Sequence, residues 1–211
     1  MDNLREGFKQ LGFDVNEDVI TLFGVYIEKI VSTPHNLTAI RDPEGIIVRH
    51  FLDSLVVMKY FDLDYTKKFC DVGSGAGLPL MPLKIFHPGI DATFIDSRQK
   101  SVAFLDELIA ALGLKKCRTI HGHTSQLKKD LDLKFDYLLV RAFGAIPKIM
   151  EECLFLLKKG GEMFLYKGPK YEEELKLIPK DLLAKTSEVK ATEVHVPFLD
   201  EKRFIVRIIR S

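Results

Sequence analysis

Asp71-Val-Gly73-Ser-Gly75-Ala-Gly77-Leu78-Pro79 is the stretch on which the reading of the fold turns. It follows a short apolar run, Phe69-Cys-Asp-Val72, that reads as a strand, and it opens into a helix. In that setting a glycine loop is informative. Glycine reaches backbone angles that other residues avoid and lets a ligand come close to the main chain. A dinucleotide fingerprint, Gly-x-Gly-x-x-Gly, would place its third glycine at position 78. Position 78 is leucine, and the spacing is Gly-x-Gly-x-Gly. Asp71, two residues before the first glycine, is placed to hold a cationic group directly or through water. The next strand, Ala92-Thr-Phe-Ile95, ends at Asp96, about 20 residues beyond the loop, where an acid is expected to take ribose hydroxyls. The plainer alternative is a tight turn, with Asp96 capping the helix that follows.

Outward from the loop, strands and helices alternate. Ser97 to Leu112 has helical periodicity, Cys117-Arg-Thr-Ile120 and Phe135 to Val140 read as strands, and Ile146 to Leu157 reads as a helix closed by Gly160-Gly161. Glu162 to Tyr166 is the next strand. Alternation of this kind predicts a parallel sheet covered on both faces. Glu188 to Val196 and Arg203 to Ile209 are β-rich runs joined by Pro197 to Lys202, and so short a connection joins only antiparallel neighbours. The first sixty residues read as helices, with Leu4, Phe8 and Leu11, then Val19, Leu22, Phe23, Tyr26, Ile27 and Ile30, at helical spacing. A further helix runs from about Glu44 to Tyr60, with Asp42 as N-cap and Pro43 at its first position. The expected fold is α/β: a Rossmann-like S-adenosylmethionine-dependent methyltransferase fold. Its mostly parallel seven-stranded sheet carries a C-terminal antiparallel hairpin and an N-terminal helical cap. Residues 1–62 form the cap and 63–211 the Rossmann-like domain, as one compact unit.

Composition narrows the classes. With 46% hydrophobic and 29% charged residues, the 211-residue chain belongs with ordinary globular proteins. It has no apolar run near the roughly 20 residues that span a bilayer, and its N-terminus is polar, so a cytoplasmic protein with no membrane partner is expected. Cys70, Cys117 and Cys153 are scattered, which favours reduced thiols, Cys70 and Cys153 being buried. His121 and His123 lack a second pair of ligands, and no metal is expected. A net charge of +1 gives no general attraction to a polyanion. A nucleic-acid substrate would need a local basic face, or a partner already folded around the target.

The sequence resembles the RsmG family, also called glucose-inhibited division protein B, over nearly its whole length. The resemblance rests on Asn36-Leu-Thr38, Arg49-His50 with Asp53-Ser54-Leu55, the glycine loop, and Phe94-Ile-Asp96-Ser97 with Lys100 and Phe104-Leu105. It continues through Val140-Arg141-Ala142 and Tyr166-Lys167-Gly168. It implies an enzyme that methylates N7 of a guanosine in 16S ribosomal RNA with S-adenosyl-L-methionine. Its partner is then 16S RNA or the small ribosomal subunit, and it is expected to act as a monomer. By resemblance, Gly73 and Leu78 lie against the cofactor and Thr124 and Ser125 hold adenine. Arg141 reaches cofactor or substrate, and Asn36, His50 and Asp53 form the floor of the site. Where the family reads Gly-Arg-x-Glu, this chain has Gly122-His123-Thr124-Ser125, which lacks that arginine–glutamate pair.

Guanine N7 has a lone pair and no proton, so its methylation needs proximity and orientation rather than a general base. Val140-Arg-Ala-Phe143 stands where methyltransferases of exocyclic amines carry Asn-Pro-Pro-aromatic. Arg141 is suited to donate to guanine O6 or a phosphate, and Phe143 to stack on a splayed base; the alternatives are a salt bridge and a core aromatic. Removing Arg141 is expected to lower activity more than stability. His50, Asp53 and Ser54 fall on one helix face, where local hydrogen bonding is a simpler account than a hydrolytic triad. Arg41, Arg49, Arg98, Lys100, Lys167 and Lys170 are the basic candidates for RNA. The loop alone equally allows a small-molecule or protein methyl acceptor, and the altered segment at 122–125 leaves open a nucleotide- or RNA-binding module without catalysis.

Overall fold

The computed structural model describes residues 1–129 and 134–211. β1 (Lys68–Val72), β2 (Asp91–Asp96), β3 (Cys117–His121), β4 (Phe135–Arg141), β5 (Leu157–Lys167), β6 (Thr186–Val194) and β7 (Arg203–Arg210) form one sheet. Their order is β3-β2-β1-β4-β5-β7-β6. The first five strands are parallel, and β7 runs antiparallel to both β5 and β6. A dinucleotide-binding sheet keeps six parallel strands. Here β7 is reversed beside β6, because the link from 195 to 202 is too short for a crossover, and it lies between β5 and β6.

α1 (Asp2–Leu11) and α2 (Glu17–Ser32) begin the cap. α3 (Pro43–Ile46) starts where expected: Asp42 Oδ1 accepts the Gly45 amide at 2.6 Å, and Pro43 holds the first helical position. It then runs through a π-helical turn, Ile47–Leu52, into α4 (Asp53–Tyr60). The regular helix expected over Glu44 to Tyr60 is therefore widened by one inserted residue, a feature frequent at functional sites. Residues 50–57 are all buried, since this stretch packs against α1 and the helix that follows β1, while Arg49, Lys59 and Tyr60 on either side are exposed.

α5 (Leu80–Phe86) and α6 (Gln99–Ala111) share a face of the sheet with the cap, and α7 (Ile146–Cys153) covers the other. Phe8, Phe23, Tyr26 and Phe51 of the cap join Phe69, Phe94, Leu105 and Phe164 in one apolar cluster. Each buried ring contributes roughly 1.5–3 kcal/mol relative to exposure. Cys70, Leu138, Val140, Ile149 and Leu165 fill the opposite side. Cys70 and Cys153 are buried thiols, and burial pushes Cys153 up to about 12.

One boundary differs from the sequence reading. α7 ends at Cys153, a 3-10 turn takes Leu154–Leu156, and β5 starts at Leu157. Gly160-Gly161 is thus a bulge inside a strand, not a helix stop. A Cβ on Gly161 would meet the carbonyls of Lys158, Asp136 and Phe135 at 3.0–3.1 Å, and the β4–β5 register shifts beside it. α8 (Tyr171–Lys176) and α9 (Lys180–Leu183) lead into β6. Among the described residues, no helix is long and apolar enough to cross a membrane.

Candidate functional site

Strand order reverses between β1 and β4, and the carboxyl ends of strands at such a switch point are where α/β sheets bind ligands. Gly73 leaves β1 with φ +73, and a Cβ there would lie 2.6 Å from Cδ2 of Phe143. Gly77 has φ +96, and a Cβ there would lie 3.0 Å from the hydroxyl of Tyr26. That hydroxyl donates to the Ala76 carbonyl at 2.6 Å, so the cap grips the loop from behind. The Gly75 amide donates to Asp96 Oδ2 at 2.8 Å, and Asp96 Oδ1 accepts the Arg98 amide at 2.8 Å. The acid ending β2 therefore braces the glycine loop; Oδ1 also takes Arg98 Nε at 3.3 Å, and Oδ2 keeps a lone pair for a ligand hydroxyl.

Asp71 is fully buried beneath this loop. Its Oδ2 accepts the Leu80 amide at 3.1 Å, while Oδ1 has no hydrogen-bond partner. Burial raises its carboxyl to about 7. An orphaned, half-titrated carboxylate suits a ligand ammonium, and Asp96 suits vicinal hydroxyls. The glycine cradle leaves room that a Cβ would fill. These are the features that adenosylmethionine requires.

The open cleft in front of the loop has a volume of about 540 Å³. Gly73, Gly75, Leu78, His50, Asp53 and Arg141 line it together. Arg141, at the end of β4, is its centrepiece. Nη1 lies 3.0 Å from Asp53 Oδ2 and 3.2 Å from the Arg49 carbonyl, and Nη2 lies 3.5 Å from His50 Nδ1. His50 Nε2 pairs with the Thr38 hydroxyl at 2.7 Å. Burial, reinforced by the Arg141 charge, lowers His50 to about 4. Ser54 Oγ donates back to the His50 carbonyl, and Asp53 faces guanidinium groups rather than the imidazole, so no triad forms.

Other candidates fall elsewhere. Asn36 is exposed, accepts from Arg41 at 3.4 Å and stands outside the main cleft, whereas its neighbours Leu37 and Thr38 line it. Thr124 is buried against a small pocket with Asp96, Ser97, Gly122 and His123; Ser125 is exposed and outside that pocket. Phe143 lies over Gly73 and walls the same pocket. Arg49 pairs with Glu201 at 2.8 Å, and Arg98 stays close to Asp96. Lys167, only 10% exposed, is held by the Gly144 carbonyl at 2.6 Å and Glu174 at 2.7 Å. Lys170 is exposed. Sequence reasoning missed Tyr26 as a brace, and Arg203, whose Nε lies 3.3 Å from Asp53 Oδ1 within the cleft. Neither sits in a motif; each is brought in by packing alone. Among the described residues, no group of three or more histidine, cysteine or acidic side chains is disposed to hold a metal ion.

This sheet order, with its reversed seventh strand, glycine cradle and paired acids, defines the S-adenosylmethionine-dependent methyltransferase class. Solved structures share the fold. TrmN from Thermus thermophilus is 14% identical with a TM-score of 0.60, covering 78% of this chain and 53% of that one. Precorrin-6y C5,15-methyltransferase from Geobacter metallireducens is 14% identical with a TM-score of 0.54, covering 86% and 94%. The family model described as rRNA small subunit methyltransferase G matches residues 21–205, and the chain belongs to that family. Among its relatives, the ribosomal RNA small subunit methyltransferase G of Desulforamulus reducens is 34% identical over 97% of this chain and 88% of its own length. That of Geobacillus kaustophilus is 37% identical over 95% and 86%.

Proposed function

We propose that the protein methylates N7 of a guanosine in 16S ribosomal RNA, within the small subunit or its folded RNA. The observation that carries this reading is a cleft whose ionisable groups are already engaged. Asp53 is held between Arg141 and Arg203, Asp96 by two backbone amides, and His50 stays neutral with a carboxylic-acid-like pKa of about 4. Among the described residues that line the cleft, none stands ready to remove a proton from the acceptor, and Asp71, raised to about 7, is fully buried outside that lining; this suits a ring nitrogen that carries none. When bound, adenosylmethionine supplies an electrophilic methyl on sulfur, open to in-line displacement by such a lone pair. Asp71 would hold the ammonium of its methionine end, Asp96 the ribose hydroxyls, and the pocket at Thr124 the adenine. Arg141 keeps the cleft floor in place by tying β4 to the cap, and the rest of the work is orientation. The cap, residues 1–62, and the sheet domain, 63–211, would thus build one site between them. Buried, unpaired thiols are compatible with a cytoplasmic monomer.

The test is transfer of labelled methyl to unmodified 16S RNA and to small subunits, with the product mapped. Label in 7-methylguanosine at one position is expected. Label in another nucleotide or at another atom would overturn the N7 assignment, and absence of transfer despite cofactor binding would overturn the RNA substrate.

A further inference from the structure

The cavity along the strand ends is divided in two. The main cleft measures about 540 Å³, but the pocket bounded by Asp96, Ser97, Gly122, His123 and Thr124 measures only about 40 Å³. At roughly 10–15 Å³ per water on the same measure, that is space for about three waters, too little for a purine. What fills the rest is Phe143, which walls this pocket and rests on Gly73, its Cδ2 2.6 Å from where a Cβ would stand. Phe143 is absent from the main cleft, the side on which a target base would stack.

The backbone around it is built as a short hinge. Ala142 holds φ +56, unusual for a residue with a side chain, and Gly144 holds φ +151. Beyond the hinge the chain is pinned, by Lys167 on the Gly144 carbonyl at 2.6 Å and by Glu174 on the Ile146 amide at 2.8 Å. Ala142 and Phe143 thus lie between two anchored points, the end of β4 and the Gly144 carbonyl.

We propose that Phe143 is a cofactor-binding residue and the movable wall of the adenosine site. Its ring lies against the cradle at Gly73, withdraws to admit the adenine, and then covers the bound ring. This rests on the assignment of Asp96 and Thr124 to adenosine made above. It replaces the sequence-based expectation that Phe143 stacks on a splayed RNA base.

The chain contains no tryptophan, so Phe143→Trp gives a single reporter at this position. Titration with adenosylmethionine alone, without RNA, is expected to shift its emission. Phe143→Ala provides the independent arm. Bound labelled adenosylmethionine, chased with unlabelled cofactor, is expected to leave this variant roughly tenfold faster than wild type, the size of one aromatic stacking contact. Unchanged dissociation from Phe143→Ala overturns the proposal even where the tryptophan responds. A silent tryptophan together with wild-type dissociation returns the residue to the RNA side, provided Gly73→Val still blocks binding. Failure of wild-type protein to bind adenosylmethionine in calorimetry would instead bring down the cofactor assignment, and this proposal with it.

Discussion

Asp71→Asn should make the free protein more stable and its cofactor site weaker, and the first effect can be sized. In the fold, burial raises the carboxyl from 3.8 to about 7. The folded state therefore binds this proton more tightly than the unfolded chain does. The contribution of Asp71 to stability is most favourable below about pH 4, falls as pH rises, and levels off above about 7. Each unit corresponds to about 1.4 kcal/mol, so the two units between pH 5 and 7 remove roughly 3 kcal/mol. Asparagine keeps the acceptor for Leu80 but places an amide where Oδ1 has no partner, a penalty of about 1–3 kcal/mol that does not vary with pH. The difference between variant and wild type, measured by urea unfolding, should thus shift by roughly 3 kcal/mol towards the variant from pH 5 to pH 8. His50 and all other titrating groups are shared and cancel. Calorimetry completes the test: wild-type affinity for adenosylmethionine should fall about tenfold per unit below pH 7 as Asp71 takes up its proton, and the variant should bind weakly and without that slope. A stability difference that is the same at both pH values would refute the claim that Asp71 is buried with an unmatched charge awaiting a cation.

Gly73→Val places branched carbons against Phe143 in a backbone conformation with φ +73, and calorimetry should detect no cofactor binding. Asp96→Ala removes acceptors from the Gly75 and Arg98 amides; it should lower stability by about 1–3 kcal/mol and weaken cofactor binding together, seen in paired melting and titration experiments. Arg141→Ala breaks an ion pair whose side chains are 14% and 7% exposed. Loss of one partner from such a pair is worth about 3–5 kcal/mol, so urea midpoints should drop along with methyl transfer. The expectation that activity would suffer more than stability gives way here, because the guanidinium is spent on Asp53, His50 and backbone carbonyls. A normal midpoint in Arg141→Ala would restore it.

The sheet was legible because its signals are local: apolar runs, a glycine loop at a strand end, an acid at the next, and a link too short to cross over. Asp42 and Pro43 likewise announced the start of α3 through chemistry contained in four residues. What escaped the sequence has non-local causes. Gly160-Gly161 reads as a helix stop, since the φ of +74 at Gly160 and the carbonyls of Lys158, Asp136 and Phe135 crowding Gly161 appear only once β4 and β5 are paired. The π turn at 47–52 adds a residue to one helical turn, which an apolar periodicity of 3.6 does not register. Tyr26 has the spacing of a core residue and is one, yet its hydroxyl alone reaches Ala76 across fifty positions. Arg203 opens β7 as one more alternating side chain, and only the sheet order carries it to Asp53.

The same geometry resolves the tension between a net charge of +1 and a polyanionic substrate. The main cleft is lined by Arg49, Arg98, Arg141, Lys167 and Arg203, and by one carboxylate, Asp53. With Glu201, Glu174 and Asp96, which pair with Arg49, Lys167 and Arg98, set beside Asp53, these five cations face four carboxylates, and low-dielectric walls focus the small positive excess that remains. Most of these cations are tethered: Arg49 to Glu201, Lys167 to Glu174, Arg141 to Asp53. Tethering withholds them from unspecific phosphate contacts, which supply non-specific affinity in proportion to the number of charges neutralised. Such a cleft agrees with the proposed reading in which the shape of an already folded substrate, more than charge, brings a base to it.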